Sequence, residues 1–115
     1  MGKVRSISIA FPIPVEQALD LSTQYWQTSK LKPEITNIAD IPDGKKMILK
    51  IKTSFMRGTG SDWEIDLKRA PEGTNVLVMV SLEWGWGSAW AIPLGTVKDW
   101  CKKIGFKQKV KWNKD

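Results

Sequence analysis

Residues 61–68, Ser61-Asp62-Trp63-Glu64-Ile65-Asp66-Leu67-Lys68, decide the fold. Trp63, Ile65 and Leu67 alternate with Asp62, Glu64, Asp66 and Lys68. A period of two with aromatic and β-branched residues on one side describes a strand with a buried face and a wet face. Turn chemistry brackets it, with Arg57-Gly58-Thr59-Gly60 before and Pro71-Glu72-Gly73 after. The preceding stretch, 46–55, has the same period. Met47, Leu49, Ile51, Thr53 and Phe55 alternate with Ile48, Lys50, Lys52 and Ser54. Lys50 and Lys52 on one polar face suit Asp62, Glu64 and Asp66 on the next, which predicts antiparallel neighbours. Each such opposite-charge pair is worth up to about 1 kcal/mol, and it fixes register. A slip of one residue would turn Trp63, Ile65 and Leu67 into water.

Outward from this pair, 75–84 reads as a strand after Pro71-Glu72-Gly73, and 35–41 as a short strand before the turn Pro42-Asp43-Gly44. Near the start, Ile7, Ile9 and Phe11 alternate with Ser6, Ser8 and Ala10, giving a strand over 3–11 that Pro12 and Pro14 end. Val15, Ala18, Leu19, Ser22 and Trp26 recur at helical spacing, and Glu16 and Asp20 favour the early turns, so a helix is predicted over 14–29. Val97, Trp100, Cys101 and Ile104 form a stripe against Lys98, Lys102 and Lys103. A last helix is therefore expected over 96–104, with Thr96 as N-cap and Gly105 as its stop. A start nearer Ser88, with Pro93 as a kink, is the alternative. The order β-α-β-β-β-β-α predicts an α+β domain, one antiparallel sheet with its helices on a single face. Residues 1–105 are expected to form the domain, and 106–115 a basic C-terminal strand or tail.

Composition narrows the chemistry. The chain of 115 residues suits one domain. It has no histidine and a single cysteine, Cys101, which excludes a Ser-His-Asp triad, a Cys-His dyad, a thiolate or imidazole zinc cage and a disulfide framework. No cofactor or metal is expected. Asp62, Glu64 and Asp66 read as a solvated sheet face opposite lysines, and Cys101 as a small core residue. The expectation is a protein without enzymatic activity. Met1-Gly2-Lys3-Val4-Arg5 leads directly into a strand, no apolar run approaches the ~20 residues that span a bilayer, and a cytoplasmic location is expected.

The net charge is +6, and it is uneven. Residues 98–115 hold seven lysines against two aspartates, whereas 1–97 are nearly neutral. Lys107, Lys109 and Lys111 alternate with Phe106, Gln108, Val110 and Trp112. That pattern fits an edge strand guarded by lysine, or a strip that meets nucleic acid or an anionic surface.

Three stretches carry a family resemblance: Ile9-Ala10-Phe11-Pro12-Ile13-Pro14-Val15-Glu16-Gln17-Ala18-Leu19, Leu31-Lys32-Pro33-Glu34-Ile35-Thr36-Asn37-Ile38, and the hairpin positions Asp43-Gly44, Gly58-Thr59-Gly60 and Glu72-Gly73-Thr74. With the element order, they make residues 3 to about 105 resemble a reduced helix-grip domain of the START and Bet v 1-like (SRPBCC) kind. The order also resembles one half of a TATA-binding-protein-like domain. The helix-grip resemblance implies a curved antiparallel sheet gripping a C-terminal helix, and binding of lipids or other hydrophobic small molecules between them.

Seven tryptophans against one tyrosine is a strong skew. Trp26, Trp63 and Trp100 fall on apolar stripes and are expected in the core. Trp84, Trp86 and Trp90 surround glycines beside the expected sheet–helix opening. The expected function is non-enzymatic binding of a hydrophobic small molecule or lipid, with Trp63, Trp84, Trp86 and Trp90 at the ligand and Phe55 and Trp100 on the wall. The alternatives are nucleic-acid or anionic-surface binding through Lys107, Lys109, Lys111 and Trp112, or a homo-oligomeric interaction protein, a homodimer in its simplest form.

Overall fold

A computed structural model of the chain describes residues 4–53, 60–83 and 87–114. The elements run β1 (Val4–Phe11), α1 (Val15–Thr28), β2 (Glu34–Ile41), β3 (Gly44–Ile51), β4 (Ser61–Ala70) and β5 (Gly73–Leu82), then a 3-10 turn (Gly87–Trp90) that runs into α2 (Ala91–Lys103). All strand pairs are antiparallel, in the order β1-β5-β4-β3-β2. The molecule is thus α+β. β2 to β5 form a meander, and α1 carries the chain from one edge of the sheet to the other.

The register explains which face is buried. Ile7 lies opposite Val78, Val78 opposite Ile65, and Ile65 opposite Met47. All four are buried, and they make one apolar row across four strands. The next row joins Arg5, Val80, Trp63 and Leu49. The other face has Lys50 opposite Asp62, and Lys46 opposite Asp66. The Lys46 ammonium lies 3.2 Å from Glu64 and 3.9 Å from Asp66. Opposite charges do mark the β3–β4 pair, but Lys46 takes the place expected of Lys52, because β3 spans 44–51 and not 46–55. Phe55 and Trp84 lie outside the described residues. β5 ends at Leu82.

Both helices lie on the apolar face. The Trp26 ring of α1 meets Trp63 of β4 at 5.2 Å and Trp100 of α2 at 5.6 Å, and Trp100 meets Phe11 of β1 at 5.7 Å. Tilted and edge-on contacts at these separations are worth ~0.5–1.5 kcal/mol each beyond the area they bury. Two of the three indole N–H groups find hydroxyls in the core. Trp63 donates to Ser61 at 2.8 Å and Trp100 to Ser22 at 3.1 Å. The Trp26 N–H is buried without a partner.

The last third departs from the expected boundaries. α2 starts at Ala91, not at Thr96. Pro93 stands in its first turn, where a missing N–H breaks no helical bond. Thr96 is therefore not an N-cap. It is buried inside the helix, with its hydroxyl donating to the Ile92 carbonyl at 2.8 Å. Gly105 does end the helix, at φ +97°. Its N–H donates to Lys102 and the Phe106 N–H to Cys101, which closes off two carbonyls of the last turn.

Residues 106–113 then double back along the β1 edge as an extended strap. Trp112 bridges Ile7, and the Asn113 N–H donates to Ser6. Between these points and α2 the Gln108 amide replaces a ladder. It accepts from the Ala10 N–H at 3.0 Å and donates to the Ala10 carbonyl at 2.7 Å. Phe106, Gln108, Val110 and Trp112 turn inward, and Lys107, Lys109 and Lys111 face water. No helix among the described residues is long and apolar enough to cross a membrane.

Candidate functional site: a groove between the two helices

Among the described residues, the space between the sheet and α2 is filled. Trp63 and Trp100, expected on a ligand wall, are 1% and 0% exposed and pack against Trp26 and Phe11. A slot of about 10 Å³ lies between Ser61 and Trp63 of β4 and Pro93 and Thr96 of α2. That is room for about one water at most. Three bulky indoles, turned inward by strand and helix periodicity, occupy this space. Trp90 is 5% exposed and serves the closure of the β1 edge. The Arg5 guanidinium sits 4.6 Å from its ring centroid, and Trp112 meets it edge-on at 5.2 Å. Trp86 lies outside the described residues, as do Phe55 and Trp84.

Among the described residues, a wider concavity lies elsewhere. α1 and α2 sit side by side on the sheet, and a groove of about 830 Å³ runs between them. Its apolar lining includes Leu21 and Leu31 on one side and Ala91, Ile92 and Ile104 on the other. Ile92 is 44% exposed there. Leu31, Ile92 and Thr96 also line the slot, so the groove floor is the outer wall of the space beside Trp63.

A polar pair spans the groove. The Tyr25 hydroxyl donates to Asp99 at 2.9 Å and lies 3.4 Å from the Thr96 carbonyl. Tyr25 and Asp99 belong to different helices, so this bond ties α1 to α2. Burial, then the Asp99 carboxylate, holds the Tyr25 hydroxyl well above its ordinary range, so it stays a donor at neutral pH. Gln24, Thr28, Lys30 and Lys103 line the rest of the groove. The geometry suits a ligand with an apolar body and one polar end.

Gly95 is the telling residue. It lies within α2 and lines the groove. Its φ is not positive, and a Cβ added there meets nothing within 4 Å. Neither backbone conformation nor close packing requires glycine. Glycine in a helix interior costs ~0.8–1.0 kcal/mol relative to alanine. The chain forgoes that stability at a position where a side chain would project into the groove.

Other candidate chemistry resolves into structure. Cys101 is a free, buried thiol, and burial pushes its pKa up to about 11, so it is not a nucleophile at neutral pH. Glu16 pairs with Arg69 on the surface at 3.3 Å. Among the described residues no group of three or more carboxylates and cysteines could hold a metal.

Sequence reasoning found the tryptophan core and the alternation of residues 106–112, but left open which side of that segment packs. It missed the groove. Tyr25, Leu31, Ile92, Gly95 and Asp99 come from three separate segments, and only helix packing brings them together. One signal was present: the single tyrosine falls on the flank of α1 beside Trp26. Comparison of the chain with protein-family models, with curated proteins and with solved structures gives no match in any of the three.

Proposed function

We propose that the protein is a binding module for a hydrophobic small molecule or lipid, held in the groove between α1 and α2. The supporting observation is Gly95, a helix-interior glycine that neither backbone nor packing calls for, set in an open groove with an apolar lining. The volume falls within the range of ligand sites, ~300–1,000 Å³. Leu21, Leu31 and Ile92 would take the apolar body, and the Tyr25–Asp99 pair its polar end. The element order and the shared helix face support reading the domain as a reduced helix-grip fold whose interior has closed and whose ligand has moved outward.

The test is a titration with anilinonaphthalene sulfonate and with oleate, followed by tryptophan and probe fluorescence and by calorimetry. Saturable binding of one molecule per chain is expected, lost in Gly95→Leu. Absence of binding by both probes, or affinity unchanged in Gly95→Leu, would falsify the reading.

A further inference from the structure

The sheet carries a second hollow, on the face away from both helices. Its position follows from the register. Ser8 lies opposite Leu77, and Leu77 opposite Asp66. Two residues along each strand, Ala10 lies opposite Asn75, and Asn75 opposite Lys68. Their chain neighbours Ile9, Val76, Ile65 and Leu67 are buried in the core, so these two rows stand on the open side of the pleat. With Gln108 of the strap they line a hollow of about 560 Å³, within the ~300–1,000 Å³ of ligand sites. Gln108 lines it at the β1 edge, where its amide is held by the Ala10 backbone.

The hollow offers two charges of opposite sign. Asp66 and Lys68 share one side of β4, and residues two apart on a strand stand ~6.6–6.8 Å from each other. They form no ion pair together, and among the described residues Lys68 pairs with no acid. The Asp66 side chain is 15% exposed, and the Lys46 ammonium lies 3.9 Å from its Oδ1, too far for a hydrogen bond. That oxygen is buried and accepts none. A carboxylate taken this far out of water without a donor is stabilised when one arrives. Ser8 and Gln108, by contrast, already bond to Asn113 and Ala10. Beside Asp66, Leu77 is 37% exposed, and beside Lys68, Asn75 presents an exposed carboxamide.

The charge pattern selects the occupant. A simple anion is repelled by Asp66, and a simple cation by Lys68 and Lys46. A small molecule with both charges a few ångströms apart, and an apolar group on the carbon between them, meets every feature of the hollow. We infer that it binds a free α-amino acid with an apolar side chain. The ligand's ammonium donates to the Asp66 carboxylate, its carboxylate accepts from Lys68 and Asn75, and its side chain lies on Leu77. Both ends are charge-assisted hydrogen bonds, the stronger kind. The hollow shares no lining residue with the groove between α1 and α2, and it stands whether or not the groove takes a ligand.

An NMR titration of the full chain with leucine tests it, at about pH 6, where an α-amino group is charged. N-acetyl-leucine and leucinamide serve as probes that each lack one charge. Leucine should shift the backbone amides of Asp66, Lys68, Asn75 and Leu77, with one molecule bound per chain. Each blocked analogue should bind at least about tenfold more weakly, the scale of one hydrogen bond to a charged group. Lys68→Gln should weaken leucine by a similar factor and leave leucinamide, which has no carboxylate, unchanged. Asp66→Asn should weaken leucine likewise and spare N-acetyl-leucine. Thermal melts check that both variants fold, and Lys68 is exposed, so its variant carries the test even where Asp66→Asn unfolds. No shift with leucine at millimolar concentration overturns the inference. So does binding of either analogue as tight as that of leucine, or a Lys68→Gln protein that binds leucine as well as the parent. Shifts confined to Tyr25, Ile92 and Asp99 put leucine in the groove and overturn it too.

Discussion

Gly95 offers a perturbation in which stability and function should move in opposite directions. Gly95→Ala adds one methyl group to the interior of α2, where the new Cβ meets nothing within 4 Å. The gain comes from helix propensity, ~0.8–1.0 kcal/mol, with no packing penalty to offset it. For a domain of this size that corresponds to a rise in Tm of about 4 °C. Gly95→Leu keeps nearly all of the gain, since leucine is almost as good a helix former. Its isobutyl group, however, would take up space on the groove lining that Gly95 shares with Leu31 and Ile92. Affinity for oleate or anilinonaphthalene sulfonate should then fall at least about tenfold, an energy comparable to burying a few methylene groups. Urea denaturation gives the stability and calorimetry gives the affinity, on the same three proteins. The reasoning is refuted if Gly95→Ala lowers stability, because the position then has a structural need for glycine. It is also refuted if Gly95→Leu is more stable and binds as well as the parent.

Three further outcomes follow from the packing. Trp63→Phe and Trp100→Phe each strand a buried serine hydroxyl, whereas Trp26→Phe removes an indole N–H that has no partner. The first two should therefore cost ~1–2 kcal/mol more than the third in urea titrations, and equal costs would contradict the assigned hydrogen bonds. Gln108→Ala leaves both backbone groups of Ala10 without the strap amide, so hydrogen exchange at the Ala10 N–H should quicken and stability fall by about 1 kcal/mol. Cys101 holds its proton more tightly folded than unfolded, with the pKa moved from 9.0 to about 11, and Tyr25 is displaced the same way. The unfolded chain loses these protons first, so stability should be level below about pH 9 and decline as pH rises toward 11. Cys101→Ser should flatten part of that decline, and an undiminished decline would assign it elsewhere.

Reading the sequence was enough for everything that depends on local periodicity. The alternation in 61–68 and 46–51 fixes which face each strand buries, because a side chain can leave a pleated strand only on one side or the other. The helical spacing of Val15, Ala18, Ser22 and Trp26 does the same for α1, whereas after Gly105 only the alternation was legible, and packing against Phe11 and Trp90 turns Phe106, Val110 and Trp112 inward. Turn chemistry placed the hairpins, and the glycine stop of α2 was legible for the same reason. The start of α2 stayed open between Thr96 and Ser88, and the structure lies nearer the second, with a 3-10 turn from Gly87 and the helix proper from Ala91. Pro93 and Gly95 read as breakers, yet a first turn tolerates proline, and contacts of Trp90, Val97 and Trp100 with the core outweigh the propensity of one glycine.

How the pieces fill space belongs to the tertiary structure alone. Whether three tryptophans line a cavity or close it depends on the distance between a helix and a sheet, which no periodicity encodes. Packed at interior density, their rings leave a slot of about 10 Å³. The open volume appears instead where two helices lie side by side on a flat layer and cannot fill the furrow between them. Its residues are distant in sequence and ordinary one by one, and they become a site only when both helices rest on the same sheet.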